Sequence, residues 1–368
     1  MTHWAGLLLA VIAQAGADAK TPWMTQPSGT TERLRGVSAV SDSIAWASGN
    51  HGTCLRTSDG GATWHKVPAT DAAVLDFRDV EAFDGDRAYV LAIGPGEASQ
   101  VFKSTRLASG EVALLECYRN RDPKGFLDAI AFWDHDHGLA LGDPVDGRFT
   151  ILATDDAGRS WTQLSDPGTM PPALPSEGAF AASGTCLIVG PDGHAWFSTG
   201  GASKARVFHS RDKGRSWTAA ETPITAGEPS RGIFGLAFRP GGVEGIAVGG
   251  DYKATNAWLT GLALSSDAGG RWATPEDQGE GGSFLAGRRP HGFRSAAAYL
   301  PGLTPPAILA VGPTGTDLAE DGGRRWRGLS GEEGFHALAV APSGRFAWAV
   351  GEGGKIGRLE VPEALKGR

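Results

Sequence analysis

The sequence predicts an all-β fold, a seven-bladed β-propeller built from four-stranded blades. A motif spelled (Ser/Thr)-x-Asp-x-Gly-x-(Thr/Ser)-Trp occurs at residues 57–64, 154–161 and 210–217, with looser copies at 265–272 and 319–326. Asp156, Asp212, Asp267 and Asp321 follow one another at intervals of 56, 55 and 54 residues. The 368 residues include 55 glycines, and only 20% are charged. A period near fifty residues is typical of propellers or solenoids, and this composition suits short strands joined by turns.

Each copy of the motif is expected to form a tight hairpin turn between the third and fourth strands of a blade. The Asp carboxylate can accept hydrogen bonds from backbone N–H groups of the turn, and the Gly tolerates a positive φ. The Trp begins the fourth strand and covers the turn. We therefore expect a structural role for Asp59, Trp64, Asp156, Trp161, Asp212, Trp217, Asp267, Trp272, Asp321 and Trp326.

Counting the repeats gives seven blades. Asp59 and Asp156 are 97 residues apart, which is about two repeats, so one repeat has lost its motif. Residues 101–106, followed by Gly110, stand where the missing turn belongs. The first and second strands of the successive repeats are expected at 37–40 and 44–49, 80–83 and 88–94, 129–132 and 138–142, 179–182 and 186–190, 236–238 and 245–249, 296–299 and 307–312, and 337–340 and 347–351.

The last repeat lacks an outer strand, since the chain ends soon after a third strand at residues 356–361. Residues 22–27 resemble the outer strand of the third repeat, at residues 160–164. We predict that this N-terminal strand completes the seventh blade. It would close the ring and remove the exposed edges that an open array would leave.

The motif resembles the Asp-box of the sialidase and BNR-repeat families. Over nearly the whole chain after residue 19, the sequence resembles the YCF48-like group, which is related to the plant photosystem II stability/assembly factor. The resemblance implies a seven-bladed propeller that acts as a binding and assembly factor without established catalysis. We accordingly expect no cofactor and no metal ion.

Composition and the N-terminus limit the remaining possibilities. The formal net charge of -7 gives no basic footprint for nucleic acid, and the repeats contain no apolar stretch long enough to span a membrane. Residues 5–17 are apolar and lead into an Ala17-Asp18-Ala19 cleavage pattern, so we predict a signal peptide at 1–19, a propeller at 20–368 and a periplasmic or secreted protein. An uncleaved anchor or a mis-assigned start is the alternative. The cysteines Cys54, Cys117 and Cys186 fall in different repeats without metal-ligand spacing.

Several arginines are predicted to lie on one face of the propeller. The loops that enter the first strands share a face with the loops between second and third strands, whereas the motif turns lie opposite. Guanidinium groups are planar forks that suit a carboxylate or phosphate. The arginines could equally pair with Asp79, Asp128 or Glu177 and hold neighbouring blades together. Aligning the repeats on the last apolar residue of each first strand places at one position Arg35, Arg78, Leu127, Glu177, Ile233, Arg294 and Phe335.

Glycine-rich loops between the second and third strands of repeats three to six supply a second candidate set. Glycine lets backbone approach a ligand closely, although Asp, Gly and Pro are ordinary turn residues as well. We place the predicted partner contact over these repeats. The further candidate residues on this face are Asp143, Asp146, Arg148, Arg206, Arg231, Asp251 and Tyr252.

Two functions of different classes fit these residues. The first is a non-catalytic factor that binds a protein or peptide partner through the arginine-bearing face. The second is a sialidase-like glycoside hydrolase acting on an acidic sugar or a similar anionic molecule, with arginines for the substrate carboxylate and Tyr252 paired with Glu177. Against the second, no Arg-Ile-Pro motif precedes the first copy of the turn. Residues 133–137 carry metal-type ligands, but we expect a solvated turn there.

Overall fold

The computed structural model describes residues 22–164, 168–278, 289–329 and 333–365. These residues form seven antiparallel sheets arranged in a ring, with almost no helix, so the predicted seven-bladed propeller is confirmed. The predicted leader at 1–19 lies outside the described residues. Three short 3-10 helices lie in loops between strands, at Gly96–Ala98, Pro191–Gly193 and Glu352–Gly354, a fourth follows the last strand of blade 5 at Pro275–Gln278, and one α-helix, α1, spans Val361–Leu365.

The strands follow the chain blade by blade, from the inner strand to the outer one. The chain begins with β1 (Trp23–Gln26). Blade 1 contains β2 (Leu34–Ala39), β3 (Ala45–Gly49), β4 (Thr53–Thr57) and β5 (His65–Lys66), and blade 2 contains β6 (Asp76–Ala82), β7 (Ala88–Ile93), β8 (Gln100–Arg106) and β9 (Val112–Arg119). Blade 3 contains β10 (Leu127–Phe132), β11 (Gly138–Val145), β12 (Arg148–Thr154) and β13 (Thr162–Gln163).

The second half of the ring follows the same order. Blade 4 contains β14 (Leu187–Val189), β15 (Ala195–Ser198), β16 (Arg206–Ser210) and β17 (Thr218–Glu221), and blade 5 contains β18 (Arg231–Phe238), β19 (Gly245–Asp251) and β20 (Leu262–Ser265). An isolated bridge between Leu264 and Ala273 continues blade 5 outward. Blade 6 contains β21 (Ala296–Leu300), β22 (Ala307–Gly312), β23 (Gly315–Ala319) and β24 (Trp326–Leu329), and blade 7 contains β25 (Phe335–Val340), β26 (Phe346–Gly351) and β27 (Ile356–Glu360).

The N-terminal strand closes the ring, as the sequence predicted. Strand β1 pairs antiparallel with β27 in the register Trp23 to Leu359, and so becomes the outer strand of blade 7. The Trp23 side chain is buried, and its Nε1 donates a hydrogen bond to Thr316 Oγ1 of blade 6 at 3.0 Å. Its ring also packs against Phe335 at 5.0 Å between centroids. The two ends of the chain are thus joined inside one blade.

Apolar side chains between adjacent blades make up the core. Trp46, Trp196 and Trp348 lie on the second strands of blades 1, 4 and 7, and all three are fully buried. Trp46 Nε1 donates to the Asp84 carbonyl of blade 2, and Trp196 Nε1 donates to the Ala268 carbonyl of blade 5. The Trp46 and Trp196 indoles therefore both fill the interface and satisfy their polar atom on the next blade, whereas Trp348 Nε1 has no hydrogen-bond partner among the described residues.

The repeated motif forms turns of the predicted kind. Asp59 Oδ1 accepts hydrogen bonds from the Thr63 backbone N–H at 3.0 Å and from Thr57 Oγ1 at 2.8 Å, and Oδ2 accepts one from Thr63 Oγ1 at 2.6 Å. These bonds, those from Thr63 foremost, lower the pKa of Asp59 to about 2. Asp156 and Asp212 bind their own turns in the same way. In blade 2, which lost the motif, the β8–β9 turn closes around Gly110 instead.

Blade 4 corrects one part of the strand prediction. The sequence placed its inner strand at 179–182 and its second strand at 186–190. In the structure β14 is the inner strand and β15 is the second, so the chain between residues 178 and 186 leaves the sheet. Gly184 turns the chain there with φ of 81°, and a Cβ on it would lie only 2.1 Å from Asp79 Oδ1. The long interval from Gly190 to Asp212 was the sequence signal for the missing strand.

Candidate functional site

A β-bulge recurs at the start of the inner strand in five blades, where two residues oppose one on the second strand. A bulge re-aims the side chain of its extra residue. In blades 1 and 2 that residue is an arginine, on neighbouring strands facing the central channel. The bulged residues are Arg35, Arg78, Asp128, Phe234 and His336.

The predicted equivalence of Arg294 with Arg35 and Arg78 is wrong by one residue. Leu34 and Leu127 pair with Gly49 and Gly142, and Arg294 lies against the corresponding Gly312. Arg294 therefore shares its position with Leu127, Ile233 and Phe335, one residue before the bulge. The error arose because the apolar run in blades 1 and 2 continues one residue past the end of β2 and β6, into Val40 and Phe83.

Arg35 and Arg78 both donate to backbone carbonyls of a segment that crosses the channel. Arg35 Nη2 donates to the Ala182 carbonyl at 3.1 Å, and Arg78 Nη1 donates to the Ala181 carbonyl. Arg78 Nε also binds Asp76 Oδ2 at 2.9 Å, whereas Arg35 Nε has no hydrogen-bond partner among the described residues. Burial, followed by the charges of Arg78 and then Arg33, lowers the pKa of Arg35 to about 9.

Arg33 and His336 extend this cluster, and the sequence reasoning missed both. Arg33 Nε lies 2.9 Å from Glu352 Oε1, and His336 Nε2 lies 2.8 Å from the same oxygen. Burial, together with the charges of Arg35 and Arg33, lowers the pKa of His336 to about 4. The alternation of arginine at 33 and 35 was the available signal for Arg33. We call Arg33, Arg35 and Arg78 the arginine rim.

Buried carboxyl groups lie in the channel beside the arginine rim. Asp79 Oδ1 accepts a hydrogen bond from the Val80 N–H, and Oδ2 accepts one from the Ile130 N–H of the next blade, both at 2.8 Å. Burial raises the pKa of Asp79 to about 7. Asp128 is also buried, and its pKa is raised well above the ordinary value by burial and then by the charge of Asp143. Burial in the channel therefore raises the pKa of both carboxyl groups, and Asp79, with a pKa of about 7, is partly protonated near neutral pH.

The raised pKa of Asp79 predicts a pH dependence of stability. The folded chain keeps a proton that the unfolded chain releases near its ordinary pKa of 3.8, so the free energy of unfolding falls as the pH rises from about 4 to about 7. The slope is at most about 1.4 kcal/mol per pH unit for this proton. Asp79→Asn, which stays neutral, is expected to flatten the fall between pH 5 and 7 in urea titrations. Exposed Asp155→Asn serves as the control, and an unchanged slope in Asp79→Asn would contradict the assignment.

Three other predicted arginines are held in ion pairs within their own blades. Arg294 Nε donates to Asp317 Oδ2 at 2.6 Å, and both residues are fully buried. Arg206 Nε donates to Glu177 Oε1 at 2.8 Å, and Arg231 Nε lies 3.0 Å from Asp251 Oδ2. These pairs differ from the alternative predicted for Arg294, since its partner is Asp317 of the same blade and not Asp79, Asp128 or Glu177 of a neighbouring blade. The three arginines do not join the arginine rim.

The loop candidates are dispersed over the same face. Asp143 accepts a hydrogen bond from the Ala179 N–H at 3.0 Å, and burial raises its pKa to about 6. Asp146 is exposed and pairs with Lys124 at 2.9 Å, and Arg148 is exposed at the start of β12. Tyr252 is half exposed and meets the Phe234 ring edge-on at 6.0 Å. Only Asp143 contacts the segment that the arginine rim binds.

Two solved structures share this architecture. The fold is that of the YCF48 proteins. The structure of YCF48 bound to D1 peptide matches with a TM-score of 0.63 at 18% identity, covering 93% of this chain and 97% of that one. YCF48 from Cyanidioschyzon merolae matches with a TM-score of 0.59 at 18% identity, covering 93% and 99%. No protein-family model and no curated protein matches this chain. The predicted resemblance to YCF48-like propellers is confirmed as a likeness of fold.

Within this YCF48 fold, the residue pair that sialidase chemistry needs is not assembled. The Glu177 carboxylate is buried and accepts hydrogen bonds from Arg206, from Thr199 Oγ1 at 2.6 Å and from the Leu174 N–H at 2.8 Å. Tyr252 is not among its partners. A carboxylate that is fully engaged in this way cannot assist a tyrosine nucleophile.

Metal-type residues give no further site. In the turn at residues 133–137, Asp134 Oδ1 accepts hydrogen bonds from the Asp136 and His137 N–H groups, so it serves the turn. Over the part of the chain that the structure describes, no three His, Cys, Asp or Glu side chains are placed to hold a metal ion. The three cysteines are unpaired, and Cys54 and Cys186 are buried. No helix within the described ranges is both long and apolar enough to cross a membrane.

Proposed function

We propose that this protein is a non-catalytic binding factor, periplasmic or secreted, that recognises a protein or peptide partner through the arginine rim. The observation that carries the proposal is that guanidinium groups from two adjacent blades bind two consecutive backbone carbonyl oxygens at the channel mouth. These side chains are already arranged to hold a peptide main chain. The structure of YCF48 with a D1 peptide supports peptide binding as a use of this fold.

The charge of the arginine rim favours this function. The chain as a whole carries a formal charge of -7, yet three arginines lie close enough together that two of them lower the pKa of the third. Arg33 keeps 41% of its side chain exposed and Arg78 keeps 20%. Arg33 pairs with Glu352 and Arg78 with Asp76, so among the described residues Arg35 is the rim arginine without a carboxylate partner, and its charge favours peptides that present carboxylate or carbonyl oxygens.

An extracytoplasmic location fits the apolar run at residues 5–17 and the Ala17-Asp18-Ala19 pattern that follows it. The partner would then be exposed in the same compartment, in the cell envelope or outside the cell. N-terminal sequencing of the protein from the envelope fraction tests this part of the proposal. Recovery of a chain that begins at Lys20 supports export with cleavage, and an intact Met1 in the cytoplasm contradicts it.

The binding test removes the two rim arginines that contact backbone. In affinity capture from the envelope fraction, and with a D1 peptide as a defined probe, Arg35→Ala/Arg78→Ala is expected to lose about tenfold or more in affinity, because each lost bond is charge-assisted. The control Arg211→Ala/Arg215→Ala removes the same charge from exposed positions around the motif turn of blade 4. Both variants are first checked for folding by circular dichroism. Equal capture by both variants would show that the rim is not the binding site.

A further inference from the structure

The segment of blade 4 that leaves the sheet, residues 178–185, lies across the mouth of the channel. We call it the plug. Besides its contacts with Arg35 of blade 1 and Arg78 of blade 2, its Ala179 N–H donates to Asp143 Oδ1 of blade 3. Ser183 Oγ donates at 2.9 Å to the carbonyl of Ser295, which leads into blade 6. A segment that touches blades this widely separated must lie over the ring axis.

The plug is held mainly through its backbone. The Ala181 and Ala182 carbonyl oxygens bind the arginine rim and the Ala179 N–H binds Asp143, whereas Gly178, at the start of the plug, still pairs with the Gly200 backbone. Three of its side chains are alanine methyl groups at 179, 181 and 182, which bring little apolar area. The exception is Phe180, which stacks on Phe234 of blade 5 at 3.9 Å with the two rings nearly parallel. The mouth of the channel therefore binds a main chain segment, with one aromatic contact.

We propose that the plug is an internal ligand, and that a partner binds by displacing it. This rests on the proposed function, since the partner is a peptide segment whose backbone carbonyl oxygens take the places of those of Ala181 and Ala182. Arg35 is 8% exposed beneath the plug, so a partner reaches it only when the plug lifts. Affinity for the partner is then reduced by the fraction of molecules that are closed.

Weakening the plug should therefore strengthen binding. Phe180→Ala removes the ring that stacks on Phe234. Ser183→Ala removes the hydrogen bond to Ser295 and leaves this ring contact in place. In either variant, hydrogen exchange of the 179–183 amides is expected to become about tenfold faster or more, with the other blades unchanged. The control Phe83→Ala removes a ring that packs on Tyr89 and Phe132, away from the mouth, and should leave exchange of the plug unaltered.

The decisive probe is a labelled synthetic peptide with the sequence of residues 178–185. It should bind Phe180→Ala and Ser183→Ala about fivefold or more tightly than wild type, because the competing plug is open more often. Equal binding to all three proteins, or no acceleration of plug exchange, overturns the proposal. A D1 peptide separates the two proposals: if it fails to bind while the plug peptide shows the expected order, the displaceable plug stands and a partner resembling the D1 peptide is excluded.

Discussion

Replacing Trp23 with alanine is expected to lower the free energy of unfolding by about 3–5 kcal/mol, as for other large aromatic side chains removed from a core. Trp23 is 2% exposed and lies on β1, the strand that carries the N-terminus into blade 7. The indole packs on Phe335 and donates to Thr316 of blade 6. Its loss leaves a cavity at the one joint where the ring is held by strand pairing between the two ends of the chain.

Two other substitutions separate packing from polarity in this measurement. Trp23→Phe keeps most of the apolar contact but loses the Nε1 hydrogen bond to Thr316, so it should cost only about 1–2 kcal/mol. Trp258→Ala removes a tryptophan that is 74% exposed, and should change stability by less than about 0.5 kcal/mol. Urea unfolding followed by circular dichroism measures all three. If Trp23→Ala unfolds at the wild-type urea concentration, the closure does not support the ring.

The fold was predictable because its signals are local and repeat. The turn motif combines an acceptor, a glycine and a tryptophan within eight residues, and its spacing together with the repeated apolar strands counts the blades. The closure was predictable because the unpaired last repeat and the N-terminal strand complement one another. The path of the chain in blade 4 was not predictable, because the apolar segment 179–182 has the pattern of a strand. In the structure, side chains from other blades bind the backbone of this segment. Two of these partners, Arg35 and Arg78, lie more than a hundred residues away from this segment in the sequence.

The candidate site was predictable only in part, for a related reason. Arg35 and Arg78 were found because charged residues at the start of an apolar strand stand out. A shift of one residue in register decides whether such an arginine points into the channel or forms an ion pair within its blade. A bulge produces this shift without altering the apolar pattern. Arg294, one residue earlier, consequently belongs to a buried pair. Asp79 was predicted only as an ion-pair partner, and its bonds to backbone N–H groups, like the whole of His336, became visible only once burial and the neighbouring blades were known.

The buried pair Arg294–Asp317 predicts a large effect on stability. Arg294 is 2% exposed and Asp317 is fully buried, and their contact is reinforced by Thr314 Oγ1 at 2.8 Å from Arg294 Nη1 and by His291 Nδ1 at 2.8 Å from Asp317 Oδ1. Asp317→Ala would leave a buried guanidinium without its counter-charge. We expect a loss of about 3–5 kcal/mol in the free energy of unfolding, and a similar loss for Arg294→Ala.

A double variant separates two quantities: the stability lost when one charge stays buried without its partner, and the net contribution of the ion pair to stability. Arg294→Met/Asp317→Leu removes both charges and refills the space, so it should recover most of the stability that either single change loses, because the desolvation penalty of both ions disappears. The exposed pair Lys204–Glu221, with nitrogen and oxygen 3.1 Å apart, is the control, and its removal should cost less than about 1 kcal/mol. If the double variant loses as much stability as the two single changes added together, Arg294 and Asp317 are not energetically coupled, which contradicts the predicted role of the pair. If each single change instead costs as little as the Lys204–Glu221 pair, Arg294 is free to serve a ligand, as the sequence alone had suggested.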